Sequence, residues 1–300
     1  MDRNLLYNFD DIKRYSKKYL EEIYINNSYE AKRDKPTVAI IDTGIYKHKD
    51  FGDTIIEVQS FLKTRNRAKY DDNGHGTHIA GIVHMINPYV NIAGYKVLDR
   101  FGYGNTDDVI EAIDYVIKIK DKLNVKILNI SLGGIDVDSD INNKLIDAVE
   151  RVWESGIVVV SAAGNNGPHK GSVTSPGVSK KIITVGMVED LHNNRNKFFK
   201  RYSGRGPTKT CVVKPDVLCT GRDITSYKNE NEGWTTKSGT SMATAVLTGC
   251  ISCFYMINNE YTPKMIKKRL KDTSVKKFDN SSIAGFGVLD VENFFRKSWG

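Results

Sequence analysis

The sequence predicts an α/β protein, a single three-layer domain whose mostly parallel central sheet carries helices on both faces. Three observations carry that expectation. Runs such as Val38-Ala39-Ile40-Ile41 are apolar without alternation, as strands buried on both faces require. Segments with helical spacing of apolar residues lie between such runs, and strands alternating with helices of this length build a parallel sheet. Met242 to Ile257 lacks a polar face, which reads as a helix buried on all sides.

In chain order, Phe9, Ile12, Tyr15, Tyr19, Leu20 and Ile23 recur at helical spacing in a charged segment. A polar linker from Asn26 to Lys35 ends at Pro36, which divides the chain into an N-terminal extension, 1–35, and a main domain, 36–300. The first strand stops at Asp42-Thr43-Gly44. Further strands are expected at Ile92–Leu98, Lys126–Ser131, Ile157–Ala162 and Lys181–Val185, with helices at Asp107–Lys120 and Asn142–Ser155. Gly156 ends the second of these helices in the usual C-terminal manner. Residues 201–234 are turn-rich. Thr262-Pro263 then supplies an N-cap and a first-turn proline for a basic amphipathic helix reaching Asp272.

The 300 residues carry a net charge of +8, which favours acidic partners or substrates. The lysines and arginines are dispersed and no nucleic-acid-binding signature accompanies them, so no nucleic-acid partner is expected. No run is long enough to span a membrane, and the charged N-terminus has no apolar signal core, which points to the cytoplasm. Of the four cysteines, Cys250 and Cys253 have C-x-x-C spacing but lie inside the buried helix. With no second pair, they and Cys211 and Cys219 are expected as free thiols rather than metal ligands.

Four glycine-punctuated places carry the chemistry. Ser241, in Gly239-Thr240-Ser241-Met242-Ala243, opens the buried helix, where free N–H groups and the positive dipole end favour a developing oxyanion. It reads equally as an N-cap. Asp42 closes the first strand, where open α/β sheets place their chemistry, although aspartate there also makes turns. His75 sits between glycines in Asn73-Gly74-His75-Gly76-Thr77-His78; a His75/His78 metal pair competes, but H-E-x-x-H is absent. Asn165, in Ala162-Ala163-Gly164-Asn165-Asn166-Gly167, offers an amide donor after another buried strand, or simply a turn. Ser131-Leu132-Gly133-Gly134 ends a strand in a bare backbone edge suited to an extended peptide.

Together, Ile41-Asp42-Thr43-Gly44, Gly74-His75-Gly76-Thr77-His78, Gly239-Thr240-Ser241-Met242-Ala243 and Lys214-Pro215-Asp216-Val217 resemble the subtilisin-like serine proteases, the subtilase family, over Lys35 to Phe295. The Asp, His, Ser order is that of subtilisin. The resemblance implies that Asp42 orients His75, His75 activates Ser241, and Asn165 with the Ser241 N–H binds the oxyanion. It also implies that an extended substrate lies between Gly102-Tyr103-Gly104 and Ser131-Leu132-Gly133, with Ala162, Ala163 and Gly164 walling the main pocket. The floor of that pocket falls near Thr174, and Tyr103 narrows a more distal one.

Three departures from the family pattern stand out. Thr244 is followed by Ala245 and Val246 where relatives have proline, histidine and valine. Helix and strand around Ile82–Tyr95 leave no room for the family's calcium loop, and calcium needs about six to eight oxygens; no cofactor is expected, and Asp50 becomes a turn or salt-bridge residue. The extension 1–35 is shorter than the propeptide of secreted members, and serves as a docked helix or a short pro-like segment. These features favour a cytoplasmic processing protease, such as one that removes acidic leader peptides from lanthipeptide precursors. A broad-specificity intracellular subtilisin and a catalytically silent pseudoprotease acting as a binding module are the alternatives.

Overall fold

The computed structural model describes residues 7–26, 35–63, 70–132, 140–191, 203–256, 258–276 and 284–296. Ten strands are present among them: β1 Thr37–Asp42, β2 Ile55–Ser60, β3 Asn91–Lys96, β4 Val125–Ile130, β5 Val158–Ala162, β6 Ile183–Met187, β7 Val217–Cys219, β8 Ile224–Tyr227, β9 Trp234–Lys237 and β10 Gly287–Val288. The helices are α1 Phe9–Asn26, α2 His75–Ile86, α3 Thr106–Ile119, α4 Asp140–Glu154, α5 Thr240–Tyr255, α6 Pro263–Thr273 and α7 Val291–Arg296.

Eight strands form one sheet in the order β10-β7-β6-β5-β4-β1-β3-β2, every neighbouring pair parallel. β8 and β9 form a separate antiparallel hairpin. The central strands β1 and β5 are buried at every position, so their β-branched runs need no polar alternation. α3 and α4 pack on the sheet and on each other, while α5 lies across β4 to β7 and against α2.

All sixteen residues of α5 are buried. Its close fit to α2 depends on Gly249, where a Cβ would come within 2.8 Å of the Ile86 Cβ. Its polar side chains are satisfied inside the core: Asn129 donates to Thr248 Oγ1 and Asn87 to Ser252 Oγ, each at 2.9 Å. Lys214, wholly buried, donates to the Ile182 carbonyl, the Thr184 hydroxyl and Asp216 Oδ2 (3.0, 3.0 and 2.6 Å), joining β6 to β7. Burial pulls its pKa down to about 8, against the opposing pull of Asp216.

The expected strands and helices all occur, with ends shifted by up to two residues. Ile55–Ser60 was not expected as a strand. β2 is a half-buried edge paired only with β3, so its sequence shows neither a continuous nor a cleanly alternating apolar run. β10 and α7 are too short for periodicity to reveal. Thr262 caps α6 by accepting from Met265 N, and Gly156 follows α4 at φ 96°.

α1 docks on α5, α2 and α7. Ile12 and Leu20 are each 2 % exposed, and Tyr19 stacks on Phe295 with ring centroids 4.5 Å apart. Leu20→Ala is therefore expected to cost about 2–5 kcal/mol in urea unfolding of a Ser241→Ala background, as for other buried leucines. A loss below about 0.5 kcal/mol, the level of surface substitutions, would mean that α1 does not share the core.

Candidate active site

The functional side chains gather where β1, β4 and β5 end and α2 and α5 begin, the edge at which parallel sheets place their chemistry. Asp42 is the last residue of β1 and is 1 % exposed. Both its carboxylate oxygens face His75 Nδ1, at 2.8 and 2.9 Å, and Oδ1 also accepts the Thr43 N–H at 2.7 Å. This fixes the proton of a neutral His75 on Nδ1 and leaves Nε2 as the basic nitrogen. Burial opposes charge on His75, but the Asp42 carboxylate overcomes it, and the pKa lies above the usual 6.5.

A residue that motif reading missed organises this corner. Asp71 is buried, and its carboxylate accepts from Thr43 Oγ1 (2.9 Å), Asn73 N (3.0 Å), Gly74 N (2.7 Å), Thr77 N (2.9 Å) and Thr77 Oγ1 (2.6 Å). Thr43 Oγ1 in turn accepts from Gly76 N at 2.9 Å, and Asn73 Oδ1 from His75 N at 3.1 Å. Gly76 has to be glycine, because a Cβ there would collide with the Gly44 carbonyl. Lys96, buried at the end of β3, donates to the Thr43 carbonyl at 2.7 Å and to Asp72 at 2.6 Å. The signal for Asp71 and Lys96 in the sequence is only a charge beside a glycine-rich motif or ending an apolar strand.

His75 and His78 are not brought together for a metal. His78 is buried with Nε2 at 3.0 Å from the Ile224 carbonyl and 3.1 Å from that of Thr235. Only an N–H satisfies two carbonyls, so Nε2 carries a proton, and burial holds the pKa down at about 4, which keeps the ring neutral at pH 7. It ties α2 to the β8–β9 hairpin.

Ser241 does not cap α5. The N-cap is Gly239, whose carbonyl accepts from Met242 and Ala243, and Ser241 lies one residue inside the helix start. A first-turn N–H has no carbonyl four residues back, so the Ser241 amide is left for another acceptor. Asn165 Oδ1 accepts from Thr240 N (3.1 Å) and Thr240 Oγ1 (3.2 Å), which leaves its NH2 group for the space beside Ser241. The Ser241 hydroxyl is turned to the Ser131 carbonyl at 3.0 Å, and among the described residues no hydrogen bond joins it to His75.

The expected peptide-binding edges are placed as follows. Gly102, Tyr103 and Gly104 lie in an exposed loop after β3, held by Asp99 Oδ1, which accepts from Phe101 N and Tyr103 N at 2.9 Å each. Asn73 Nδ2 donates to the Arg100 carbonyl at 2.9 Å, coupling this loop to the His75 loop. Ser131 and Leu132 are buried just after β4, while Gly133 lies outside the described residues. Ala162 and Ala163 are buried, and a Cβ on Gly164 would collide with the buried Thr174 hydroxyl directly behind it.

The fold and this geometry set a paired Asp42 and His75 and a helix-start serine at one end of a parallel sheet. The subtilase family model matches residues 33–288, and the chain belongs to the subtilase family of serine endopeptidases. It is 36% identical over 289 residues to the serine protease AprX of Bacillus subtilis (strain 168), covering 86% of this chain and 65% of that protein. It is 31% identical to a subtilisin of Bacillus sp. (strain TA39), covering 71% of this chain and 54% of that protein. The chain thus spans less than two thirds of these relatives. The crystal structure of a cold adapted subtilisin-like serine proteinase matches with a TM-score of 0.67 at 30% identity, over 84% of this chain and 86% of that one.

The Asp42–His75 contact is open to a direct check. In histidine-ring NMR of Ser241→Ala protein, His75 is expected to titrate above 6.5. Asp42→Asn removes the carboxylate that favours the cation, and burial and Lys237 then carry the midpoint below 6.5. An unchanged midpoint would disprove the coupling.

Proposed function

We propose that the chain is a serine endopeptidase in which Asp42, His75 and Ser241 carry out acyl transfer. The observation that carries this reading is the two-oxygen clasp of Asp42 on His75 Nδ1 beside a serine at a helix start. The Ser241 hydroxyl leaves the Ser131 carbonyl by rotating about its Cα–Cβ bond. Its proton passes to His75 Nε2 as Oγ bonds to the scissile carbonyl carbon. The carbonyl oxygen, now anionic, takes hydrogen bonds from Asn165 Nδ2 and the Ser241 N–H. The imidazolium, stabilised by Asp42, gives its proton to the leaving amine as the C–N bond breaks. Water, deprotonated by the same imidazole, then releases the acyl group from Ser241.

The finer reading is a cytoplasmic processing protease that trims acidic peptides such as lanthipeptide leaders. Four free cysteines, three of them buried thiols, suit a reducing compartment, and the net charge of +8 suits an acidic substrate. A broad intracellular subtilisin would instead cut casein at many sites. The pseudoprotease reading is weakened by the presence of Asp42, His75, Ser241 and Asn165 together. A fluorophosphonate probe is expected to label the wild type and not Ser241→Ala; absence of labelling in both would sink the enzyme reading. Asn165→Ala should lower kcat by about 10²–10³-fold, the size that losing this donor has in subtilisin itself.

We also propose that the chain does without the family's tight calcium site, because the residues present do not fit that ion. Asn87 donates to Ser252 and its Oδ1 accepts from Tyr89 N at 3.2 Å, so its side chain is committed inside the turn. Asp50 lies in the 3-10 turn capped by His48, whose Nδ1 accepts from the Asp50 N–H at 3.3 Å. Addition of EGTA should leave the thermal midpoint of Ser241→Ala protein unchanged; a drop of several degrees would contradict this.

A further inference from the structure

Gly239, the N-cap of α5, has no side chain to hold the helix start, so the place of the first turn is set from outside. Its N–H donates to the Gly221 carbonyl at 2.9 Å. Gly221 is itself pressed into that corner, because a Cβ on it would lie 2.7 Å from the Gly239 carbonyl oxygen and 3.0 Å from Ala243 Cβ. A second rung joins the same two segments: Ser238 Oγ accepts from Asp223 N at 2.8 Å and donates to Asp223 Oδ1 at 3.2 Å. The turn 220–223, between β7 and β8, is the bed on which residues 238–241 rest.

One carboxylate gathers that turn. Glu189, half-buried just past the end of β6, accepts from Thr220 Oγ1 at 2.6 Å, from Gly221 N at 3.2 Å on both oxygens, and from Arg222 N at 3.3 Å. A carboxylate accepts such hydrogen bonds about twice as strongly as a neutral group, and here three consecutive residues share it. A chain of contacts runs from Glu189 through Gly221 to Gly239, and on to Thr240, which donates to Asn165 Oδ1 at 3.1 Å.

Glu189 also faces a cavity of about 500 Å³ between this turn and the start of α1, lined among others by Tyr7, Phe9, Lys13, Arg222 and Asp223. Asp223 and Thr225 on its wall are exposed, so the cavity communicates with solvent. A small carboxylate can therefore reach the place of a truncated Glu189 side chain.

We propose that Glu189 is a positioning residue for acyl transfer: through the Gly221–Gly239 contact it sets the Ser241 N–H and the Asn165 amide toward the developing oxyanion. This deepens, and rests on, the endopeptidase reading. The oxyanion exists only as the reaction proceeds, so losing Glu189 acts on kcat and leaves KM in place. Hydrolysis of a peptide anilide by wild type, Glu189→Ala and Glu189→Gln tests this, with active sites counted by fluorophosphonate labelling.

For Glu189→Ala, kcat per labelled site is expected to fall by about 10–100-fold, up to the loss that a misplacement of about 1 Å brings, with KM within about twofold. Glu189→Gln keeps an acceptor oxygen without the charge, so its kcat should lie between the two, about two- to fivefold below wild type. Formate or acetate should raise the kcat of Glu189→Ala severalfold, and chloride at equal ionic strength should not. A general loss of packing does not respond to a carboxylate. A wild-type kcat in Glu189→Ala, a loss carried by KM, or a loss that neither formate nor acetate reverses overturns this inference alone. Should Glu189→Ala not fold, Glu189→Gln decides: kcat equal to wild type overturns the inference, and a severalfold lower kcat at unchanged KM bears it out. No anilide turnover and no labelling of wild type overturn the endopeptidase reading, and this inference with it.

Discussion

The carboxylate of Asp71 is the contact on which the rest of the site depends. A buried charge is tolerated only when its lone pairs are filled, and here backbone and hydroxyl donors from Thr43, Asn73, Gly74 and Thr77 fill them. Those donors come from the turn after β1, the loop before α2 and the first turn of α2. One carboxylate therefore sets the distance between the strand end that carries Asp42 and the helix start that carries His75. The orientation of the imidazole follows, because Gly76 N is held by Thr43 Oγ1 and His75 N by Asn73.

The second support is α5, a helix with no solvated face. Burial on all sides allows it no freedom to slide, and its small residues let α2 approach closely through Gly249 and Ile86. Its start is pinned from outside: Gly239 N donates to the Gly221 carbonyl at 2.9 Å, and Thr240 donates twice to Asn165. Asn165 thereby both braces the helix and is braced by it. Ala245 and Val246, the departure from the family pattern, are fully buried in this helix.

The two histidines of the motif show how environment separates identical side chains. His78 is buried and His75 half-buried, and a carboxylate raises the pKa of His75 while His78, facing backbone carbonyls, is lowered to about 4. One is left more ready to hold a proton than a free imidazole, and the other is a neutral strut between α2 and the hairpin.

The sequence by itself determined the layer architecture and marked Asp42, His75, Asn165 and Ser241 as the candidates for the site. Buried strands and an all-apolar helix leave periodicities that survive in one dimension, and glycine-flanked motifs mark places where backbone must pass closely. It did not determine that Ser241 stands inside the helix start rather than capping it, since cap and first turn differ by the path of Gly239. Nor did it single out Asp71, Lys96 or Glu189. Each is one charge among the 80 Asp, Glu, Lys and Arg residues of the chain, 36 acidic and 44 basic. Their significance comes from donors and carbonyls contributed by segments distant in sequence. Only the tertiary structure brings those segments together, because the free energy of a buried charge depends on what surrounds it in space.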